Sequence, residues 1–178
     1  NPSLRTRLST QKAAKNLGFD IMVMNFSNEA WAIEYENETI MSGLRSEHVK
    51  EAAQVVSQYC DFIAIRAFAS LTDQKRDEEE VVLRKFAAFA SVPIINMESA
   101  TAHPLQALAD GLTIEEQVTI KQPKIVLSWA PHPKALPHAV ANSFIGLMNH
   151  TKADFIITHP EGYDLNPAIV GNHKVEYN

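Results

Sequence analysis

The run Ser3-Leu4-Arg5-Thr6-Arg7 places a serine directly ahead of a helical pattern. A serine there is an N-cap, which leaves backbone N–H groups and the positive end of the helix dipole exposed. Two guanidinium groups and the Thr6 hydroxyl in the same turn suit that end to a phosphate. No glycine-rich loop precedes it, and a solvated helix start whose arginines pair with surface acids accounts for the same residues. Arg66 closes the apolar run Phe62-Ile63-Ala64-Ile65. Ligands of open parallel sheets bind outside the carboxyl ends of strands, so a guanidinium there points towards the crevice; its plain alternative is a structural ion pair. His103-Pro104-Leu105-Gln106 comes after Met97-Glu98-Ser99-Ala100-Thr101-Ala102 and sets a histidine, an acid and an amide at another strand-to-helix turn. A lone histidine is often only a satisfied structural residue. Three polar clusters at successive strand ends nevertheless point to an anion with a polarisable carbonyl beside it.

Other residues carry weaker signals. Trp31, in a stretch of mixed polarity, reads as a partly buried anchor. His132-Pro133-Lys134-Ala135-Leu136-Pro137-His138 reads as a stiff, proline-braced loop facing the same crevice. Its two histidines have no accompanying ligand set, so no metal is expected. Cys60 reads as a small buried hydrophobe.

Positioning these residues requires strands that end where the polar clusters begin. Apolar runs at Ile21–Met24, Phe62–Ile65, Val92–Asn96, Lys124–Trp129 and Asp154–Thr158, with a weaker one at His173–Tyr177, supply them. Continuous rather than alternating runs suggest strands covered on both faces. Helical periodicity lies between them, at Leu8–Leu17, Ser46–Tyr59, Asp77–Phe89, Leu105–Ile114 and Leu136–Met148. Asp77-Glu78-Glu79-Glu80 reads as the charged first turn of its helix. The alternation predicts an α/β fold of parallel sheets flanked by helices. The polar stretch Glu115–Lys124 is the expected domain boundary, with domains at 1–118 and 119–178.

The 178 residues, 46% apolar and 21% charged, describe a globular chain with enough core to need no disulfide or metal staple. With 16 Lys+Arg against 21 Asp+Glu the net charge is −5, which argues against nucleic acid or an anionic membrane as main partner. One cysteine and no long apolar run fit a reducing, cytoplasmic setting.

Ser3-Leu4-Arg5-Thr6-Arg7, then Arg66, then His103-Pro104-Leu105-Gln106, in that order, resemble the aspartate/ornithine carbamoyltransferase family. Its members usually read S-T-R-T-R, an arginine, and H-P-x-Q. Leu4 in place of threonine, Met97-Glu98 before the histidine, and Trp129-Ala130-Pro131-His132-Pro133 are similar to the N-acylornithine branch. The resemblance covers essentially the whole chain. The family's opening helix and strand and its later H-C-L-P motif are missing, so the chain looks like the central part of a member.

The resemblance implies a carbamoyltransferase without cofactor, metal or covalent enzyme intermediate, in which a δ-amine attacks carbamoyl phosphate to give phosphate and an N-acylcitrulline. It assigns Ser3, Leu4, Arg5, Thr6, Trp31, Arg66, His103 and Gln106 to carbamoyl phosphate, with Arg66, His103 and Thr6 as the catalytic group. It assigns Glu98, His132 and Pro137 to the acylornithine. It also implies a homotrimer in which Trp31 reaches a neighbouring site. The first domain would bind carbamoyl phosphate and the second would begin the acylornithine-binding domain. Ser46 stands where acetyl-preferring enzymes carry an acid, and a neutral residue there favours N-succinylornithine over N-acetylornithine. Competing readings are an ordinary ornithine or aspartate carbamoyltransferase, a non-catalytic phosphate- or nucleotide-binding α/β module, and a folded but inert fragment. The module reading lacks any glycine-rich phosphate loop.

Overall fold

The computed structural model describes residues 3–26, 29, 32–37, 39–41 and 45–177. Backbone contacts divide the chain into two units, one of Asn1–Ile63 with Arg84–Pro93, the other of Ala64–Leu83 with Ile94–Asn178.

In the first unit, Ser3 is extended and its hydroxyl accepts the Thr6 N–H at 3.4 Å, so helix α1 (Leu4–Leu17) starts earlier than its apolar periodicity suggests. It stops at Gly18, whose φ of +76° is cheap only without a Cβ. Ile21–Met24 was expected to be a strand, but it forms no ladder and all four side chains are exposed. Apolar character favours a strand only where a neighbouring strand accepts its hydrogen bonds. Two short strands form instead, β1 (Ile33–Glu34) and β2 (Glu47–His48), paired in parallel with Ile33 opposite Glu47. Helix α2 (Val49–Val56) follows, capped by the His48 ring, which accepts the Lys50 N–H. Val49, Ala52 and Ala53 form its buried stripe, as their spacing predicts.

Strand β3 (Ile63–Arg66) pairs with β4 (Ile94–Glu98). The Ile63 N–H reaches the Pro93 carbonyl and the Ala67 N–H reaches the Glu98 carbonyl, so both strands run the same way. Between them lie α3 (Gln74–Glu78) and α4 (Val81–Phe89), two helices where the acidic run suggests the start of one. The break falls at Glu80, a non-glycine residue with φ of +48°. Such a conformation costs about 1 kcal/mol or more, offset here because the Glu80 carboxylate accepts both the N–H and the hydroxyl of Thr101. The Asp77 carboxylate likewise accepts the N–H groups of Ser70 and Leu71. These acids act as backbone acceptors rather than as a solvated first turn.

The rest of the second unit is α5 (Pro104–Gln117), β5 (Lys124–Ser128), α6 (Ala139–Met148), β6 (Asp154–His159), α7 (Pro167–Val170) and β7 (Lys174–Tyr177). The strands β5, β6 and β7 form one parallel sheet, Lys124 opposite Asp154 and His159 opposite Tyr177. Ile145, Met148, Phe155, Ile157 and Leu165 are its buried centre. Coverage on both faces, expected from the continuous apolar runs, does not hold for β5. Its residues alternate, Ile125 and Leu127 packing on that core while Val126 stays 52% exposed. Parallel sheets flanked by helices are nonetheless the architecture. Among the described residues no helix is long and apolar enough to cross a membrane.

Candidate functional site

The polar centre of the second unit is assembled by the ends of β3 and β4. The Ala67 N–H to Glu98 carbonyl bond, 2.8 Å, brings the last residues of the two strands side by side. Arg66 Nη2 then donates to Glu98 Oε2 at 2.8 Å. His103 Nε2 lies 3.3 Å from the same oxygen. The three side chains are largely withdrawn from solvent, with exposures of 14% for Arg66, 9% for Glu98 and 16% for His103. One carboxylate oxygen thus serves a guanidinium and an imidazole together. In such a setting an ion pair is strongly felt, because the charges have little access to water.

A tight turn delivers His103. After Glu98, the Ser99 hydroxyl donates to the Ala102 carbonyl and accepts from Asn96 Nδ2 and the Ala102 N–H. His103 is the N-cap of α5, with Pro104 in the first turn, where its missing N–H costs nothing. The His103 side chain makes no capping bond, which leaves its ring to meet Glu98. The His103 backbone N–H donates to Ser143 Oγ at 2.7 Å, and Asn142 Nδ2 donates to the Thr101 carbonyl at 3.0 Å. Helix α6 therefore holds the turn.

Beyond Arg66 the chain turns back so that the guanidinium lies over the Phe68 ring, 3.9 Å from its centroid. This contact adds a cation–π attraction and fixes the plane of the fork. A cavity of about 180 Å³ opens beyond the ends of β3 and β4, bordered by Ala67, Phe68, Ser70, Arg76 and Ser99. That is where a parallel sheet places its ligands.

The remaining candidate residues are placed as follows. Ser3 and Thr6 are joined by the capping bond, while Arg5 and Leu4 are exposed in the first turn of α1. Gln106 is exposed and its amide donates to Asp110 Oδ1, one turn along α5, rather than joining the Glu98 group. His132 Nδ1 lies against the backbone of Lys134, and both His132 and Pro137 are exposed. Ser46 is exposed and borders a cavity of about 400 Å³ with Thr39, Met41, Glu47, His48 and Glu51. Trp31 lies outside the described residues.

Burial and hydrogen bonding also act near these groups. Backbone N–H groups of Glu36 and Tyr35, with Arg45 at 2.6 Å, hold the Glu34 carboxyl below the usual carboxylate range despite its burial. No group of three or more His, Cys, Asp or Glu among the described residues is disposed to hold a metal.

Phe68, Ser99, Asn142 and Ser143 are members of this site that residue types and spacing did not single out. Phe68 had a usable signal, standing two residues after an arginine at a strand end. Asn142 and Ser143 had none, since α6 reads as an apolar helix and its partners lie forty residues away.

Residues 1–116 match the family described as aspartate/ornithine carbamoyltransferase, carbamoyl-P binding domain. The chain is 52% identical over 177 residues to the N-succinylornithine carbamoyltransferase of Bacteroides thetaiotaomicron, covering 99% of the chain and 56% of that relative. It is 40% identical over 163 residues to the N-acetylornithine carbamoyltransferase of Xanthomonas campestris pv. campestris, covering 90% of the chain and 48% of the relative. Among solved structures, acetylornithine transcarbamylase complexed with acetylcitrulline superposes with a TM-score of 0.90 at 35% identity, over 99% of the chain and 57% of that structure. A glutamate-to-serine mutant of N-acetyl-L-ornithine transcarbamylase, complexed with carbamyl phosphate and N-succinyl-L-norvaline, gives 0.90 at 36% identity, covering 100% and 57%. The chain spans about half the length of the relatives it matches.

Proposed function

The chain belongs to the aspartate/ornithine carbamoyltransferase family, and we propose that the protein carrying it moves the carbamoyl group of carbamoyl phosphate to the δ-amine of N-succinyl-L-ornithine, with N-acetyl-L-ornithine the next-best acceptor. The observation that carries this reading is the meeting of Arg66 and His103 on one oxygen of Glu98 at the carboxyl ends of paired strands. A guanidinium and an imidazole so arranged suit a carbonyl oxygen that gains negative charge. The likeness to N-succinylornithine carbamoyltransferases of two Bacteroides species, at 52% and 50% identity, supports the acyl preference.

The reaction balances without cofactor or metal. The lone pair of the δ-nitrogen attacks the carbonyl carbon, and a C–N bond forms. The bond from that carbon to the phosphate oxygen breaks, phosphate leaves with the electron pair, and the nitrogen gives up a proton. In this reading Ser3, Arg5, Thr6 and the free N–H groups of α1 take the phosphate, joined by Leu4 through its backbone. Arg66, His103 and Thr6 steady the developing oxyanion, and Gln106 turns from Asp110 to bind the carbamoyl amide. Catalysis is then positioning plus preorganised electrostatics.

Glu98, His132 and Pro137 contact the acylated amino acid in this proposal. Residues 1–118 serve as the carbamoyl-phosphate domain and 119–178 begin the acylornithine domain. The enzyme is a cytoplasmic homotrimer of arginine biosynthesis, with Trp31 completing a neighbouring site. Ser46 leaves room and neutrality for the succinyl carboxylate. A serine in place of one glutamate in a related acetyl enzyme is compatible with an N-succinyl ligand, which favours this assignment.

The test is an assay of the natural protein carrying this chain with carbamoyl phosphate and four acceptors. The expected order is N-succinylornithine, N-acetylornithine, then free ornithine and aspartate far behind. Preference for ornithine or aspartate would overturn the acyl branch. Binding of carbamoyl phosphate without turnover of any acceptor would overturn the enzyme.

A further inference from the structure

We propose that Ser143 is a positioning residue for His103, acting through the backbone to set the direction from which the imidazole approaches the transferred carbonyl. The proposal rests on the carbamoyl-transfer reading above.

A histidine that must present one ring nitrogen to a reacting group is ordinarily aimed by a hydrogen bond on the other. In His103 only one of the two ring nitrogens has a partner. Its Nε2 faces Glu98 Oε2 at 3.3 Å, while its buried Nδ1 has no hydrogen-bond partner among the described residues. The ring does not cap α5 either. Its orientation therefore rests on the Glu98 contact at one end and, at the other, on the main chain that carries it, at φ −131° and ψ 69°. That main chain is held from outside its own turn. The Ser143 hydroxyl accepts the His103 N–H at 2.7 Å, the shortest link between the turn and α6. Two residues earlier, Asn142 Nδ2 holds the Thr101 carbonyl at 3.0 Å and the Glu80 carboxylate accepts the Thr101 N–H and hydroxyl. Adjacent residues of one helix thus fix alternate residues of the turn. Removing the Ser143 acceptor leaves an N–H to find a new partner, and the ring moves with the peptide plane. A displacement of about 1 Å can cost about 100-fold in rate even when binding survives.

The test compares Ser143→Ala, which deletes the acceptor, with Ser143→Thr, which keeps it. Ring ¹⁵N and ¹H resonances of His103 are followed in the ligand-free protein, and kcat and KM for carbamoyl phosphate are measured separately. In Ser143→Ala the His103 resonances should shift, and kcat should fall at least about tenfold with KM changed less than about threefold. Ser143→Thr should restore both. Unmoved His103 resonances together with a kcat within about twofold of wild type would overturn the proposal. So would a loss in Ser143→Ala that Ser143→Thr shares. Should Ser143→Ala fail to fold, Ser143→Cys, a weaker acceptor of similar size, is read in the same way. If the wild-type protein transfers no carbamoyl group, the functional reading falls, and the resonance shift alone decides whether Ser143 aims His103.

Discussion

Arg66 Nη2 and His103 Nε2 meet on a single atom, Glu98 Oε2, at 2.8 and 3.3 Å. The three residues come from three different places, the end of β3, the end of β4 and the cap of α5. Their meeting makes Glu98 the residue whose loss should be felt first by the fold. Glu98→Ala removes the carboxylate that both Arg66 and His103 meet, and loss of a buried ion-pair partner costs about 3 kcal/mol. Urea unfolding should show a lower midpoint with an unchanged slope. Glu98→Gln keeps an acceptor oxygen and should lose less.

Arg66 and His103 should matter more to rate than to binding. Replacing one donor aimed at a developing oxyanion costs about 3 kcal/mol of barrier, or roughly 100-fold in kcat. Arg66→Ala and His103→Ala are each expected to fall at least that far in a steady-state assay. A variant of either residue that retains more than a tenth of wild-type kcat would remove it from the catalytic group.

Arg5 is exposed in the first turn of α1, where, in the proposed reading, its charge and the helix dipole would act on the same anion. Calorimetry should detect carbamoyl phosphate binding to the wild type and neither ATP nor NAD. Arg5→Ala should weaken that binding by about tenfold, the scale of a charge-assisted hydrogen bond. Equal affinity in the variant would return Arg5 to the role of a surface charge.

Ser46 borders its cavity beside Glu47, His48 and Glu51. A further carboxylate there would face the distal carboxylate of a succinyl group, and like charges a few ångströms apart at a protein surface oppose each other by about 1–4 kcal/mol. Ser46→Glu should therefore lower kcat/KM for N-succinylornithine at least about tenfold and leave N-acetylornithine comparatively untouched. Parallel losses on both substrates would show that position 46 does not select the acyl group.

Asp77 supplies a pH signature of the loop after β3. Burial pushes its carboxyl up, but the N–H groups of Ser70 and Leu71 and the Ser70 hydroxyl outweigh it, and the net shift is downward. A carboxyl with a depressed folded-state pKa stabilises the fold above its unfolded value of about 3.9, and that contribution disappears as pH falls through the folded value. Melting temperatures between pH 7 and pH 3 should drop more steeply for wild type than for Asp77→Asn. Parallel curves would mean the loop does not depend on the ionised form.

Much of the framework was legible because it rests on local rules. The Ser3 cap, the Val49–Ala52–Ala53 stripe and the strand ending at Arg66 follow from propensity, capping and periodicity. Ile21–Met24 reads as a strand and forms none, because a strand is defined by its neighbour and an apolar run contains no information about whether one is present. The acidic run at 77–80 departs from the first turn it suggests for a related reason. Its carboxylates are acceptors for Ser70, Leu71 and Thr101, and no helical spacing reports such distant demands.

The amino-acid order by itself singled out residues suited to an anion and a polarisable carbonyl, and placed one strand end at Arg66 and another at Asn96, two residues short of where β4 stops at Glu98. Only the tertiary structure decided that Glu98 would join Arg66 to His103 and that α6 would hold the histidine's turn through Asn142 and Ser143. The reason is physical. Capping and periodicity act within a few residues of chain, whereas a buried carboxylate or N–H takes whichever partner the packing of distant elements brings within about 3 Å.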